Sequence, residues 1–85
     1  MIQESEIEAG IIRLAGARGA DASICPSDVA RALATEWRCL LGPVRRVAAR
    51  LAAEGQIDVL RKGKPIDPAA LRGVVRLRIR RAGQA

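Results

Sequence analysis

Apolar positions recur at helical spacing in the first third of the chain. Between Glu4 and Ala17, Ile7, Ile11, Leu14 and Ala15 fall on one face. Glu4, Glu6 and Glu8 occupy the opening turns, where the positive end of a helix favours carboxylates. The pattern predicts a first helix that Arg18-Gly19 closes with a basic last turn and a glycine stop. Gly10 weakens that helix and allows a neighbour to approach closely. Ala22–Cys25 is too short to stand alone and is expected to pair, as a small strand, with a later hairpin. Pro26 suits a first helical position, where its missing N–H costs nothing, and Cys25 then becomes the N-cap. Val29, Ala30 and Leu33 give this second helix a short apolar face that ends near Ala34-Thr35. Glu36-Trp37-Arg38 is a turn or a brief helical turn. Gly42-Pro43 opens a third helix, with Val44, Val47, Ala48 and Leu51 inside. Arg45, Arg46, Ala49, Arg50 and Ala53 lie on its outer side, and Gly55 stops it.

From Gln56 the period changes to two. Ile57–Arg61 reads as a strand, and Val75–Arg80 alternates apolar and basic residues cleanly. Lys62-Gly63-Lys64-Pro65 marks a turn between them, Pro68–Gly73 completes a long connection, and residues 82–85 are expected to fray. The predicted architecture is one helix-dominated α+β domain over residues 1–85. Three helices pack on a small antiparallel hairpin or sheet as a winged helix-turn-helix. The helix-turn-helix occupies about 26–54 and the wing hairpin about 57–80.

Composition restricts the core. Of the 49% hydrophobic residues, alanine supplies 16 positions and Ile, Leu and Val together 22; Phe and Tyr are absent. Such a core contributes only a few kcal/mol, so marginal stability or dimerisation is expected. Trp37, the one large ring, is expected beneath the turn as a core residue. Stacking on a nucleobase is the alternative, although a single-strand groove needs several aromatics.

Charge alters the picture more. Residues 1–44 hold four basic and six acidic side chains, net −2; residues 45–85 hold eleven and three, net +8. That asymmetry favours a polyanionic partner. Arg45, Arg46 and Arg50 on the third helix suit phosphates and guanine edges of double-stranded DNA, and Arg61, Lys62 and Lys64 would decorate the wing. The plainer reading is a solvated basic face and a charged hairpin tip that blunts an open edge. Arg76, Arg78 and Arg80 share the water-facing side of the last strand, with Glu4, Glu6 and Glu8 as candidate internal partners.

Catalytic chemistry finds no support. The chain has no His or Tyr, its serines lack a recognisable base, its carboxylates are scattered, and no phosphate-binding glycine loop occurs. No cofactor is expected. Cys25 and Cys39 cannot complete a zinc site without His or further Cys, and they read as buried, inert thiols rather than a redox pair. No signal peptide or membrane-spanning run is present, so a cytoplasmic protein with no membrane partner is expected.

The run Cys25-Pro26-Ser27-Asp28-Val29-Ala30-Arg31, with Trp37-Arg38, Val44-Arg45, Ala48, Leu51 and Gly55-Gln56-Ile57, resembles the small bacterial domain-of-unknown-function family 3253. Lys62-Gly63 and Gly73-Val74-Val75-Arg76-Leu77 fit the same pattern, so the resemblance covers most of the chain. Asp28 stands where Glu is expected, Leu41 where Met is usual and Val74 where Pro is common. The resemblance implies a winged-helix-like fold in bacteria, sometimes as a stand-alone short protein, and carries no established function with it. Non-catalytic DNA binding by a small regulator is the leading expectation. The alternative is a winged-helix module, without DNA binding, that contacts a protein partner or a second copy of itself.

Overall fold

The computed structural model describes residues 2–71 and 73–80. Three helices, α1 (Glu4–Arg18), α2 (Pro26–Leu33) and α3 (Leu41–Ala53), cover a three-stranded antiparallel sheet of β1 (Ile57–Arg61), β2 (Lys64–Pro65) and β3 (Arg76–Ile79). The strand order is β2-β1-β3. The helix-dominated α+β class read from the sequence is therefore the observed one. The expected fraying of residues 82–85 lies outside the described residues.

Local chemistry explains the boundaries. Gly19, at φ 79°, turns the chain out of α1 while its N–H donates to the carbonyls of Ala15 and Gly16. At the start of α2, Pro26 needs no N–H partner, and the Asp28 carboxylate accepts the Cys25 N–H at 2.9 Å. A short 3-10 turn (Trp37–Leu40) runs directly into α3, which begins at Leu41 rather than at Gly42-Pro43. Leu40 and Leu41 are already right-handed, so the helix enters through the 3-10 turn and no capping side chain is needed. Pro43 is tolerated because first-turn N–H groups have no intrahelical acceptor. Gly55, at φ 82°, ends the helix and releases the chain into β1.

The turn after β1 is tighter than the four residues expected. Lys62 and Gly63 alone make it, with φ 52° and 80°, the two left-handed positions of a type I′ hairpin. The twist of that turn matches the twist of the strands, so the chain doubles back at once. Lys64 and Pro65 then pair with Arg61 and Leu60 as a third strand. Pro65 is acceptable there because β2 is an edge strand.

β1 and β3 pair with Ile57 opposite Ile79, Asp58 opposite Arg78, Val59 opposite Leu77 and Leu60 opposite Arg76. The segment between α1 and α2 joins the far edge of β3. Ile24 exchanges both backbone hydrogen bonds with Leu77, at 2.7 and 2.8 Å, as its position between the helices suggested. The core is wholly aliphatic. Ile7, Ile11 and Ala15 of α1 meet Val29 and Ala30 of α2, Val44, Val47, Ala48 and Leu51 of α3, and Ile57, Val59, Val75 and Leu77 beneath them. Trp37 does not enter this core as expected. It is half-buried and packs against the edge of the core from the 3-10 turn that joins α2 to α3.

Among the described residues, no helix is long and apolar enough to cross a membrane. Gly10 is buried where α1 crosses α2. A methyl group there would lie 3.5 Å from Val29 Cγ1 and 3.6 Å from the Leu33 methyls, ordinary contact distances. Gly10→Ala is therefore expected to raise stability by about 0.5–1 kcal/mol, mainly through helix propensity. Urea denaturation at constant m-value measures it, and a destabilised variant would mean that α1 and α2 cannot accept the methyl.

Candidate nucleic-acid interface

Four of the nine acidic side chains, Glu4, Glu8, Glu54 and Asp58, meet arginines at two places. At the first, Arg50 of α3 lies 3.1 Å from Glu54, one turn further along, and 3.5 Å from both Glu4 and Glu8 of α1. Glu4 and Glu8 are four residues apart and so share a helix face. The hydrogen bond with Glu54 is the main reason that the Arg50 pKa is raised above its ordinary value. Glu4 and Glu8 were expected to serve the β3 arginines. They meet Arg50 instead, because their face of α1 is the one that packs on α3.

The second place is Asp58 on β1. Its side chain is only 11% exposed and accepts hydrogen bonds from Arg78, directly across the strand at 3.0 Å, and from Arg80, diagonally across. Burial alone would push the Asp58 carboxyl up. The two guanidinium hydrogen bonds and charges outweigh that effect and hold it below the usual carboxylate range. Arg76, at the start of β3, turns to the other edge. Its guanidinium donates to Ser23 Oγ at 2.6 Å, to the Ser23 carbonyl at 2.8 Å and to Cys25 Sγ at 3.1 Å. Two further carboxylates are used locally, Asp28 at the start of α2 and Asp67 on the Ala69 N–H at 2.9 Å.

Among the described residues, Arg45, Arg46, Lys62 and Lys64 form no ion pair. They do not form one cluster. Half-buried Arg45 lies in a shallow hollow of about 170 Å³ with Leu41 of α3, Pro26 and Ser27 of α2, and Val74 and Val75. Val74 is 87% exposed and also lines the neighbouring hollow, of about 650 Å³, beside Arg61, Lys62, Gly63 and Arg76. Arg45 and the hairpin cations therefore line two separate hollows that share Val74. Arg61 donates to the Ala70 carbonyl at 3.1 Å. Lys64 is exposed on the edge strand β2. Arg46, a quarter-turn round α3 from Arg45, belongs elsewhere, in a hollow of about 390 Å³ with Ile2, Glu4, Ile7, Leu40, Pro43 and Val47.

Sequence reasoning did not foresee two features. Arg31 and Arg38 stack on Trp37, with guanidinium carbons 4.6 and 4.5 Å from the ring centroid. Their proximity depends on the fold of the α2–α3 connection, and only the adjacency of Trp37 and Arg38 hinted at it. The cysteines also differ from expectation, Cys25 being half-buried and Cys39 exposed, both as free thiols. Cys25 sits on the surface segment that enters α2, and Cys39 on the outside of the 3-10 turn. Among the described residues, no three of His, Cys, Asp and Glu gather as metal ligands.

A family model described as Protein of unknown function (DUF3253) matches residues 4–80. The chain belongs to this family. No curated protein matches it. The DUF3253 match runs from the first residue of α1 to Arg80, the partner of Asp58, and so takes in every element of the fold. In this DUF3253 chain Asp28, where Glu was expected, still closes the first turn of α2 through the Cys25 N–H.

Asp58 provides a pH test. Its folded pKa is depressed, so its contribution to stability is complete above the unfolded value of about 4 and is lost as pH falls through the folded value. Chemical denaturation should show stability declining below about pH 4. Asp58→Asn should be less stable at pH 7 and should lose part of that decline; an unchanged acid limb would rule Asp58 out as its source.

Proposed function

We propose that this chain is a winged helix that binds double-stranded DNA without catalysis, as a small bacterial regulator acting in the cytoplasm. One observation carries the proposal. Arg45 on α3 and the hairpin cations Arg61 and Lys62 line two neighbouring hollows that meet at the exposed Val74. In a helix-turn-helix with a wing, the second helix of the motif and the hairpin tip are the two parts that reach a duplex, the helix in the major groove and the wing along the backbone.

The distribution of carboxylates supports the same reading. Glu4, Glu8 and Glu54 face Arg50, and Asp58 faces Arg78 and Arg80, so these four carboxylates offset charge away from the Arg45–Lys62 surface. Arg50, a contact residue in the sequence reading, is better assigned to that ionic cluster. Lys62 adds a second hint. It holds a left-handed φ of 52°, where Asn, Asp or Gly would be less strained, and thereby places a cation at the hairpin tip.

The alternative, a module that docks on a protein, draws on the apolar hollow of Ile2, Ile7, Leu40, Pro43 and Val47. Its walls belong to α1 and the start of α3, so it would leave the Arg45–Lys62 surface free.

Fluorescence anisotropy with a generic duplex tests the proposal. The logarithm of affinity should fall linearly with the logarithm of salt, by about 0.9 for each phosphate neutralised. Arg45→Ala/Lys62→Asn should bind several-fold more weakly, with a slope shallower by roughly 1.8. Lys62→Asn alone should retain or slightly raise thermal stability, because Asn accepts the left-handed turn, and should still weaken binding. No binding at low salt, or a double variant that binds like the parent, would overturn the proposal.

A further inference from the structure

Arg31 lies near the end of α2, and Arg38 lies in the 3-10 turn that feeds α3. Their guanidinium groups converge on Trp37, at 4.6 and 4.5 Å from its centroid. Both residues are exposed, and among the described residues neither forms an ion pair. Two positive groups gathered within reach of one ring repel each other unless an anion is at hand. The ring quadrupole relieves that repulsion only in part.

A guanidinium stacked on an aromatic ring keeps its in-plane N–H fork free. Stacking also restricts a long side chain that would otherwise sample many rotamers, so less freedom is lost when the fork meets an anion. The arrangement is thus a preorganised pair of forks for oxyanions. Its place in the fold narrows the anion. The 3-10 turn rises about 2 Å and the helix about 1.5 Å per residue, which sets Arg38 roughly 12 Å along the chain from Arg45. The pair stands at the N-terminal end of the helix that carries Arg45.

We propose that Arg31 and Arg38, held by Trp37, are a second phosphate-contacting site that grips the duplex backbone beside the start of α3. This rests on the DNA-binding proposal above and extends its footprint from the wing to the α2–α3 connection. Trp37 is a positioning residue here: its side chain is half-buried against the core, and its ring carries the two guanidinium groups.

The test uses the full chain and the same generic duplex. Arg31→Gln/Arg38→Gln should weaken binding about tenfold near 0.1 M salt and make the salt slope shallower by roughly 1.8. Arg31→Lys/Arg38→Lys should recover most of the slope, because charge is restored, but less of the affinity, because the planar fork is not. Trp37 is the sole indole, so its emission should change on adding duplex to the parent. Thermal unfolding of the Gln variant checks that the fold is retained. Arg45→Ala/Lys62→Asn serves as the reference variant. If it loses affinity while the Gln pair binds like the parent, the phosphate role of Arg31 and Arg38 falls and the DNA-binding proposal stands. If the parent binds no duplex at low salt, both fall together. Should the Gln variant lose its fold, Trp37 emission in the parent decides: a change on adding duplex supports the site, and no change overturns it.

Discussion

Leu77 is fastened on both edges of its strand, and the arrangement of the helices follows from that. Its N–H and carbonyl exchange hydrogen bonds with Ile24, and on the other side it stands opposite Val59. Because its backbone groups point to Ile24, Leu77 and Val59 form a non-hydrogen-bonded pair, the kind that brings side chains closest. Both side chains are buried beneath the helices. A slip of one residue would turn Arg76 or Arg78 into an aliphatic core with no partner for a charge. The register is therefore strongly specified. With it, Ile24 fixes where the chain enters α2, and Arg76 can reach Ser23 and Cys25 across the same junction.

A core built only from Ile, Leu, Val and Ala brings backbones close together. Gly10 lies where α1 crosses α2, with Val29 and Leu33 beside it at ordinary contact distance from an added methyl. Trp37 remains at the edge of this packing, half-buried against the core and stacked by Arg31 and Arg38. That edge position makes the indole available to surface cations.

Electrostatics divides the molecule along the same lines. Each carboxylate cluster sits where two elements meet: Glu4 and Glu8 with Arg50 where α1 crosses α3, Asp58 with Arg78 and Arg80 between β1 and β3. The exposed pairs contribute little to stability, while the largely buried Asp58 has more at stake. Their shared consequence is spatial. Arg50, Arg78 and Arg80 are balanced at these junctions, while Arg31, Arg38, Arg45, Arg46, Lys62 and Lys64 form no ion pair among the described residues. The proposed DNA surface is made of what the junctions do not consume.

By itself the sequence determined the elements. Helical and alternating periods, Pro26, Gly19 and Gly55 placed three helices and the two longer strands almost to the residue, since these signals act within a few positions. It also determined the aliphatic core, the excess of positive charge and the family resemblance. Tertiary structure decided which charges remain unpaired. Arg45, Arg46 and Arg50 are near neighbours on one helix and read alike in sequence, yet they face the Val74 surface, a hollow beside α1 and a carboxylate cluster. The difference arises because an ion pair depends on distances of 3 to 4 Å between elements far apart in the chain, which helix packing sets and local periodicity does not record.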